Sequence, residues 1–190
     1  MKIAVIGTGN IGGTLGGKWA AAGHEVVYGS RSGTGTGPGG GPVRPIADAI
    51  ESAGVVVLAV PGGAVDDVLA THGAALDGKV VVDATNRIGA AEVNSRSAIA
   101  AAAPGARYVR AFSTLGWENF AEPLPSAGLF FAADPEARPV AEDLIRAVGL
   151  EPAYVGDAGA AATVDGVLPL WFALVQQHGG NRKLAFAVLT

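Results

Sequence analysis

The 190-residue chain contains no cysteine, which excludes disulfides, thiol nucleophiles and thiolate metal sites. That absence fits a reducing, cytoplasmic setting. Charged residues make up only 16%, the formal net charge is −4, and Lys and Arg never form a run. A nucleic-acid footprint and a polybasic membrane anchor are therefore not expected. The three histidines, His24, His72 and His178, show no ligand spacing, so no metal site is assigned. Long apolar runs are scarce as well. The run at residues 3–6 is cut by Gly7 and Gly9, too short for a secretory core of about 7–15 residues. No uninterrupted apolar stretch of about 18 residues occurs, so no membrane span is expected.

What the chain does have is 49% hydrophobic residues in short, regularly spaced blocks. That is enough to fold as one core. Residues 2–6 form a continuous apolar run, the pattern of a strand covered on both faces. From Asn10 the period changes: Ile11, Leu15 and Trp19 recur every four residues, and Gly23 closes the helix. Residues 25–28 predict a second strand, completing a βαβ unit. Further strands are expected at 55–60, 79–84, 108–112, 129–133 and 153–155, with helices at 45–53, 64–69 and 92–103 between them. Asp134 is expected to cap a helix starting at Pro135, with Val140, Leu144, Ile145 and Val148 as its apolar stripe. Residues 33–42, GTGTGPGGGP, offer no side chain to pack and predict a mobile surface loop or a flap near a bound nucleotide's adenine end.

Strands alternating with helices imply an α/β, Rossmann-type, doubly wound and mainly parallel sheet. Residues 1–158 form this domain. After them Val164, Leu168, Trp171, Leu174, Val175 and His178 fall at helical spacing, interrupted by Pro169. Residues 159–190 thus predict a helical cap of the same domain. Its surplus of apolar side chains suits a homodimer interface.

Gly7-Thr8-Gly9-Asn10-Ile11-Gly12 matches G-x-G-x-x-G in the context that gives the motif meaning, after a buried strand and opening a helix. Gly7 permits the turn, Gly9 lets backbone approach a pyrophosphate, and Gly12 lets helix and strand pack closely. The amides of Asn10 and Ile11 would face the phosphates. The second strand ends in Ser30-Arg31-Ser32, with no Asp or Glu to receive the ribose hydroxyls of NAD. Arg31 can pair with a 2′-phosphate while Ser30 and Ser32 donate to its oxygens, so NADP is the expected cofactor. Ala59, Val60 and Pro61 should pass beneath the sugars. Ala84, Thr85 and Asn86 should reach the nicotinamide side, where Thr85 and Asn86 bond the ribose or carboxamide or else cap the next turn.

The segments MKIAVIGTGNIGGTLGGKWAAAGHEVVYGSR, VVVLAVP, VVVDATN and RAFSTLGWENFAEP together resemble the NADPH-dependent coenzyme F420 reductases and related dinucleotide-binding proteins. The resemblance implies hydride transfer between NADP(H) and the deazaflavin F420 as co-substrate. It places Thr8, Gly9, Asn10 and Ile11 at the pyrophosphate, Ser30 and Arg31 at the 2′-phosphate, Val60 and Pro61 along the cofactor, and residues 84–86 with Phe112 near the nicotinamide. Arg87 stands where that family often has proline, and the C-terminal region is short.

No catalytic side chain is assigned, because hydride transfer needs mainly alignment in a dry cleft, which supplies about 7–11 kcal/mol of barrier lowering. Ser113 and Thr114 could orient an acceptor or cap a turn, and Trp117 could wall a flat ring, with core packing favoured. His24 is expected at the surface, His72 near the last carbonyls of a helix and His178 packed or interfacial. Asp83 is expected to order backbone. Competing functions are an NADPH-dependent reductase of a flavin, imine or carbonyl, and a non-catalytic NADP(H)-binding redox sensor. The β-hydroxyacid dehydrogenases require a long helical C-terminal domain with a catalytic lysine. Here only Lys183 follows the sheet.

Overall fold

In the computed structural model, residues 1–189 are described. Strands β1 (Lys2–Ile6), β2 (Glu25–Ser30), β3 (Val43–Pro45), β4 (Val55–Leu58), β5 (Val80–Asp83), β6 (Arg107–Arg110), β7 (Gly128–Ala133) and β8 (Glu151–Gly156) form one sheet in the order β3-β2-β1-β4-β5-β6-β7-β8. All neighbours are parallel except β6 and β7, which are antiparallel. The fold is the expected Rossmann-type α/β sheet.

Helices cover both faces, and the alternation of side chains along each strand says which residue meets which layer. Ile3, Val5, Val26, Tyr28, Val55 and Val57 face α1 (Asn10–Ala21), α5 (Trp117–Ala121), α6 (Arg138–Val148) and α8 (Val167–Gln177) through Leu15, Trp19, Phe120, Leu144, Ile145 and Trp171. Ala4, Ile6, Val27, Val56, Leu58 and Val81 face α2 (Ile46–Glu51), α3 (Val65–His72) and α4 (Arg96–Ala102) through Ala49, Ile50, Val65, Leu69 and Ile99. Both sets of strand residues are buried, which is why these strands read as unbroken apolar runs. A short α7 (Ala161–Asp165) precedes α8, and the two are separated at Gly166.

One local expectation is refined and three are corrected. Residues 33–42 lie mostly at the surface as expected, but are anchored there: Tyr28 Oη donates to the Pro38 carbonyl at 2.9 Å, and Pro38 lies over Gly13 and Gly17 of α1. Missing side chains are what allow it, since a Cβ at Gly37 would overlap the Tyr28 ring. The stretch then feeds β3, an edge strand too short to register in the sequence. Asp134 caps no helix with its side chain. Its carboxylate accepts the Tyr108 amide at 2.6 Å, and α6 starts at Arg138 with Pro139 in its first turn. Pro169 falls within the first turn of α8, where a missing amide is harmless, so the break sits at Gly166 instead. Residues 181–189 are not helical. They are irregular, with a bridge from Phe186 to Gly128.

By length and composition alone, the 20-residue run Ala158–Gln177 is long and apolar enough to cross a membrane, with mean hydropathy 1.6 over an 18-residue window. Asp165 interrupts the run, so it is not a continuous apolar stretch. A third of that run is buried within the fold.

Candidate functional site

The glycines of the first turn divide into two that pack and one that leaves space. Gly7 has φ +112°, and a Cβ there would overlap the Ala59 carbonyl oxygen. A Cβ at Gly12 would overlap the Gly7 carbonyl oxygen, so these two let α1 sit against β1 and β4. Around Gly9 no atom lies within 4 Å of a built Cβ. Gly9 is also the N-cap of α1, which has no side-chain cap and no acidic residue in its first turn. Its leading amides are therefore free to bind an anion.

Two hollows of ≈ 350 Å³ each meet over this turn. One is lined by Gly7, Thr8 and Gly9, by Ser30 and Arg31 at the tip of β2, by Ala59, Val60 and Pro61 after β4, and by Ala64, Asp67 and Val68 on the far side. The other shares Gly9, Ala59, Val60 and Pro61 and continues to Asn10, Ile11, Gly62, Ala84 and Asn86. Together they make a groove across the carboxyl ends of β2, β1, β4 and β5, the place where doubly wound sheets bind ligands.

Arg31 is exposed at one end of this groove, and no carboxylate among the described residues is paired with it. It also borders a hollow of ≈ 250 Å³ with Ser30, Ile46 and His72. The Ser30 and Ser32 hydroxyls lie 2.8 Å apart, and Ser30 Oγ accepts the Gly33 amide at 3.2 Å. Ser32 is exposed but lines neither half of the groove.

At the other end, two residues are not brought to the groove. Thr85 is 1% exposed, and its hydroxyl donates to Asp83 Oδ1 at 2.6 Å while lying 2.9 Å from Ser95 Oγ. Phe112, at φ +60°, turns its ring into the core, edge-on to Trp19 and Phe120. Neither side chain is free to touch a ligand as expected, because each is already occupied, one by a carboxylate and one by aromatic packing. Ala84 and Asn86 do line the groove.

Beneath them lies a polar network that the sequence reading passed over. Arg110 is fully buried at the end of β6. Its Nε donates to Asp165 Oδ1 at 2.7 Å, and Nη2 lies 2.6 Å from the same oxygen. Nη1 donates to the Thr85 and Asp83 carbonyls at 2.5 and 3.1 Å, and Nη2 to Asn86 Oδ1 at 2.8 Å. Asp83 is fully buried too and accepts the amides of Thr85 and Ser95 and the Tyr108 hydroxyl at 2.9 Å, ordering backbone as expected. Burial, then the Asp83 charge, pushes the Tyr108 hydroxyl's pKa well above its usual value, so it stays a donor. The available signal was charge in an apolar setting. Arg110 sits in a buried strand and Asp165 in an apolar helical stripe, and buried charges require partners.

Ser113 and Thr114 are buried, and the Ser113 carbonyl accepts from Asn86 Nδ2 at 2.8 Å. Trp117 is not core: it is 37% exposed at the start of α5. His178 is exposed past the end of α8, so its packed reading is corrected, and His24 is half-buried beside the N-terminus. His72 ends α3 and borders the Arg31 hollow, a placement that sequence spacing could not reveal.

Residues 2–87 match the family model described as NADP oxidoreductase, coenzyme F420-dependent. That segment resembles this family. It contains the glycine turn, the Arg31 tip and the wall at Ala84 and Asn86, whereas Arg110 and Asp165 lie outside it. Among solved structures, a protein of Arthrobacter sp. FB24 provisionally named an F420-dependent NADP reductase superposes with TM-score 0.85 at 24% identity, with both chains covered completely. A hypothetical protein of Sinorhizobium meliloti superposes at TM-score 0.72 and 25% identity, covering 100% of this chain and 96% of that one. A reductive aminase of Aspergillus terreus, solved with NADPH4, cyclohexanone and allyl amine, gives TM-score 0.68 at 20% identity. It covers 94% of this chain, which spans only 62% of the aminase.

Proposed function

We propose that the protein is an NADP(H)-dependent oxidoreductase and that coenzyme F420 is its hydride partner. The observation that carries the cofactor assignment is the unpaired Arg31 guanidinium, with two serine hydroxyls and no carboxylate at the tip of β2. A 2′-phosphate there would receive a charge-assisted fork, whereas a ribose diol would find no carboxylate to accept its hydroxyls. The groove's geometry fits the whole dinucleotide: open space at Gly9 beside free helix amides for the pyrophosphate, and Ala84 and Asn86 at the opposite end. Gly7, Gly12, Thr8, Asn10 and Ile11 would shape or line the phosphate turn, with Ala59, Val60 and Pro61 under the sugars. Thr85 and Phe112 would support this wall from behind.

When bound, the nucleotide would give or take a hydride. The protein's part is to hold it against the partner and keep water out. F420 as partner is supported by the family matched over residues 2–87. Mixing the protein with NADPH and F420, and separately with FMN, and following the reduced-nicotinamide absorbance tests the reading. Oxidation with F420 is expected. Oxidation with FMN alone would replace the partner, and binding without oxidation of either would make the protein a sensor.

We further infer that residues 159–190 belong to the same domain as 1–158, supported by the Asp165–Arg110 pair and the buried Trp171. A second copy of the chain is the proposed cover for α8, where Leu170 and Phe172 are 52% and 43% exposed and no ionisable residue intervenes to repel a like surface. Light scattering should return a dimer that Leu170→Asp converts to monomer. A monomeric parent protein would reject it.

A further inference from the structure

We propose that Asp165, a positioning residue in the C-terminal helices, sets the nicotinamide-side wall of the groove by fixing the plane of the Arg110 guanidinium. The inference rests on the nucleotide reading above. It concerns a residue that lines no part of the groove and lies beyond the segment matched to the family.

A guanidinium is a rigid planar fork, so fixing one edge fixes the directions of all its remaining N–H groups. Asp165 Oδ1 holds one edge, at 2.7 Å from Nε and 2.6 Å from Nη2. The remaining donors end on the Asp83 and Thr85 carbonyls and on Asn86 Oδ1, and so tie down the chain just where β5 stops. Asp83 Oδ1 also holds the Thr85 amide and hydroxyl, but the Thr85 carbonyl and Asn86 Oδ1 rest on Arg110. The Ala84 amide still bonds the Leu58 carbonyl at 3.1 Å, but Thr85 has left the strand ladder, and its carbonyl is held by Arg110. Asn86 is gripped from two directions, by Arg110 and by the Ser113 carbonyl, which also determines how its amide is turned.

Asp165 is itself aimed: Asn94 Nδ2 donates to its Oδ2 at 2.7 Å. The order of dependence therefore runs from Asn94 to Asp165, from Asp165 to the plane of Arg110, and from Arg110 to residues 84–86. Nothing in this chain touches the Ser30–Arg31 end of the groove. Loss of Asp165 should thus loosen one end of the site while leaving the other intact.

The test compares NADPH with 2′,5′-ADP, a fragment that carries the phosphorylated adenosine but no nicotinamide, by titration calorimetry. In Asp165→Asn the affinity for 2′,5′-ADP should stay within about twofold of the parent protein, while that for NADPH falls about tenfold, the worth of about one lost charge-assisted contact. Asn94→Ala, which keeps the ion pair, should shift the ratio the same way by a smaller factor, and serves where Asp165→Asn does not fold. A ratio unchanged in the variants that fold, or equal losses for both ligands, would overturn the positioning role. If the parent protein binds NADPH but not the fragment, the assignment of Arg31 to the 2′-phosphate fails. If it binds neither, the nucleotide site fails, and this inference with it.

Discussion

Arg110 Nη2 lies 2.6 Å from Asp165 Oδ1, although 55 residues separate the two in sequence and both are almost wholly removed from water. With Asp83 behind, the guanidinium stands between two carboxylates, and all its N–H groups have acceptors. Such a network costs much to desolvate and pays back only while it is complete.

Removing its centre should therefore be severe. Arg110→Leu leaves Asp83 and Asp165 buried without their cation, and the expected loss is about 3–5 kcal/mol. For a chain of this length that lowers Tm by roughly 10 °C or more. The double variant Arg110→Met, Asp165→Leu removes one stranded carboxylate and should recover part of the loss in thermal unfolding. A single variant as stable as the parent would show that the network is not closed in solution.

Arg31→Ala should weaken NADPH and spare NADH. A charge-assisted contact contributes about 1.5–3 kcal/mol, so roughly a tenfold or larger rise in Kd is expected for NADPH alone. Equal losses for the two nucleotides would refute the 2′-phosphate assignment.

The glycines of the first turn predict opposite phenotypes. A Cβ at position 9 meets nothing, and Gly9 has an ordinary φ of −73°, so Gly9→Ala should melt with the parent protein and yet bind NADPH poorly. A Cβ at position 12 strikes the Gly7 carbonyl, so Gly12→Ala must push α1 off the sheet and should lose stability before any ligand is added. Calorimetric melts of the two apo variants separate the roles. Matching melts would contradict the packing described.

Alkaline stability should carry the mark of Tyr28. Burial raises its hydroxyl to about 12 from an ordinary value of 10.0. The unfolded chain thus ionises first, and stability that is full below pH 10 is lost as pH climbs toward 12. Tyr108, raised well above the same value, adds to that fall. Tyr28→Phe should reduce the loss between pH 10 and 12, while costing about 1 kcal/mol at neutral pH through the missing bond to Pro38. An unchanged alkaline slope in chemical denaturation would show that Tyr28 is not protected.

Much of the architecture was legible because it is periodic. Unbroken apolar runs at β1, β4 and β5 mark strands covered on both faces, and the glycine turn opens a helix in the only context where the motif is informative. The 33–42 segment shows the limit of that reasoning. Its surface position was legible, but not the Tyr28 bond to its backbone or the packing of proline against glycine that hold it there. Asp134 fails for a related reason: its carboxylate meets the amide of Tyr108, 26 residues away, which local spacing does not reveal.

By itself the amino-acid order determined the class of fold, the glycine turn and the cationic tip at Arg31, because each depends on neighbours within one βαβ unit. Tertiary structure decided which polar groups remain free to meet a ligand. It spent the Thr85 hydroxyl on Asp83, turned Phe112 inward, and delivered Asp165 to Arg110. Local spacing governs backbone conformation, but a hydrogen bond's vacancy depends on every group the fold brings within about 3 Å.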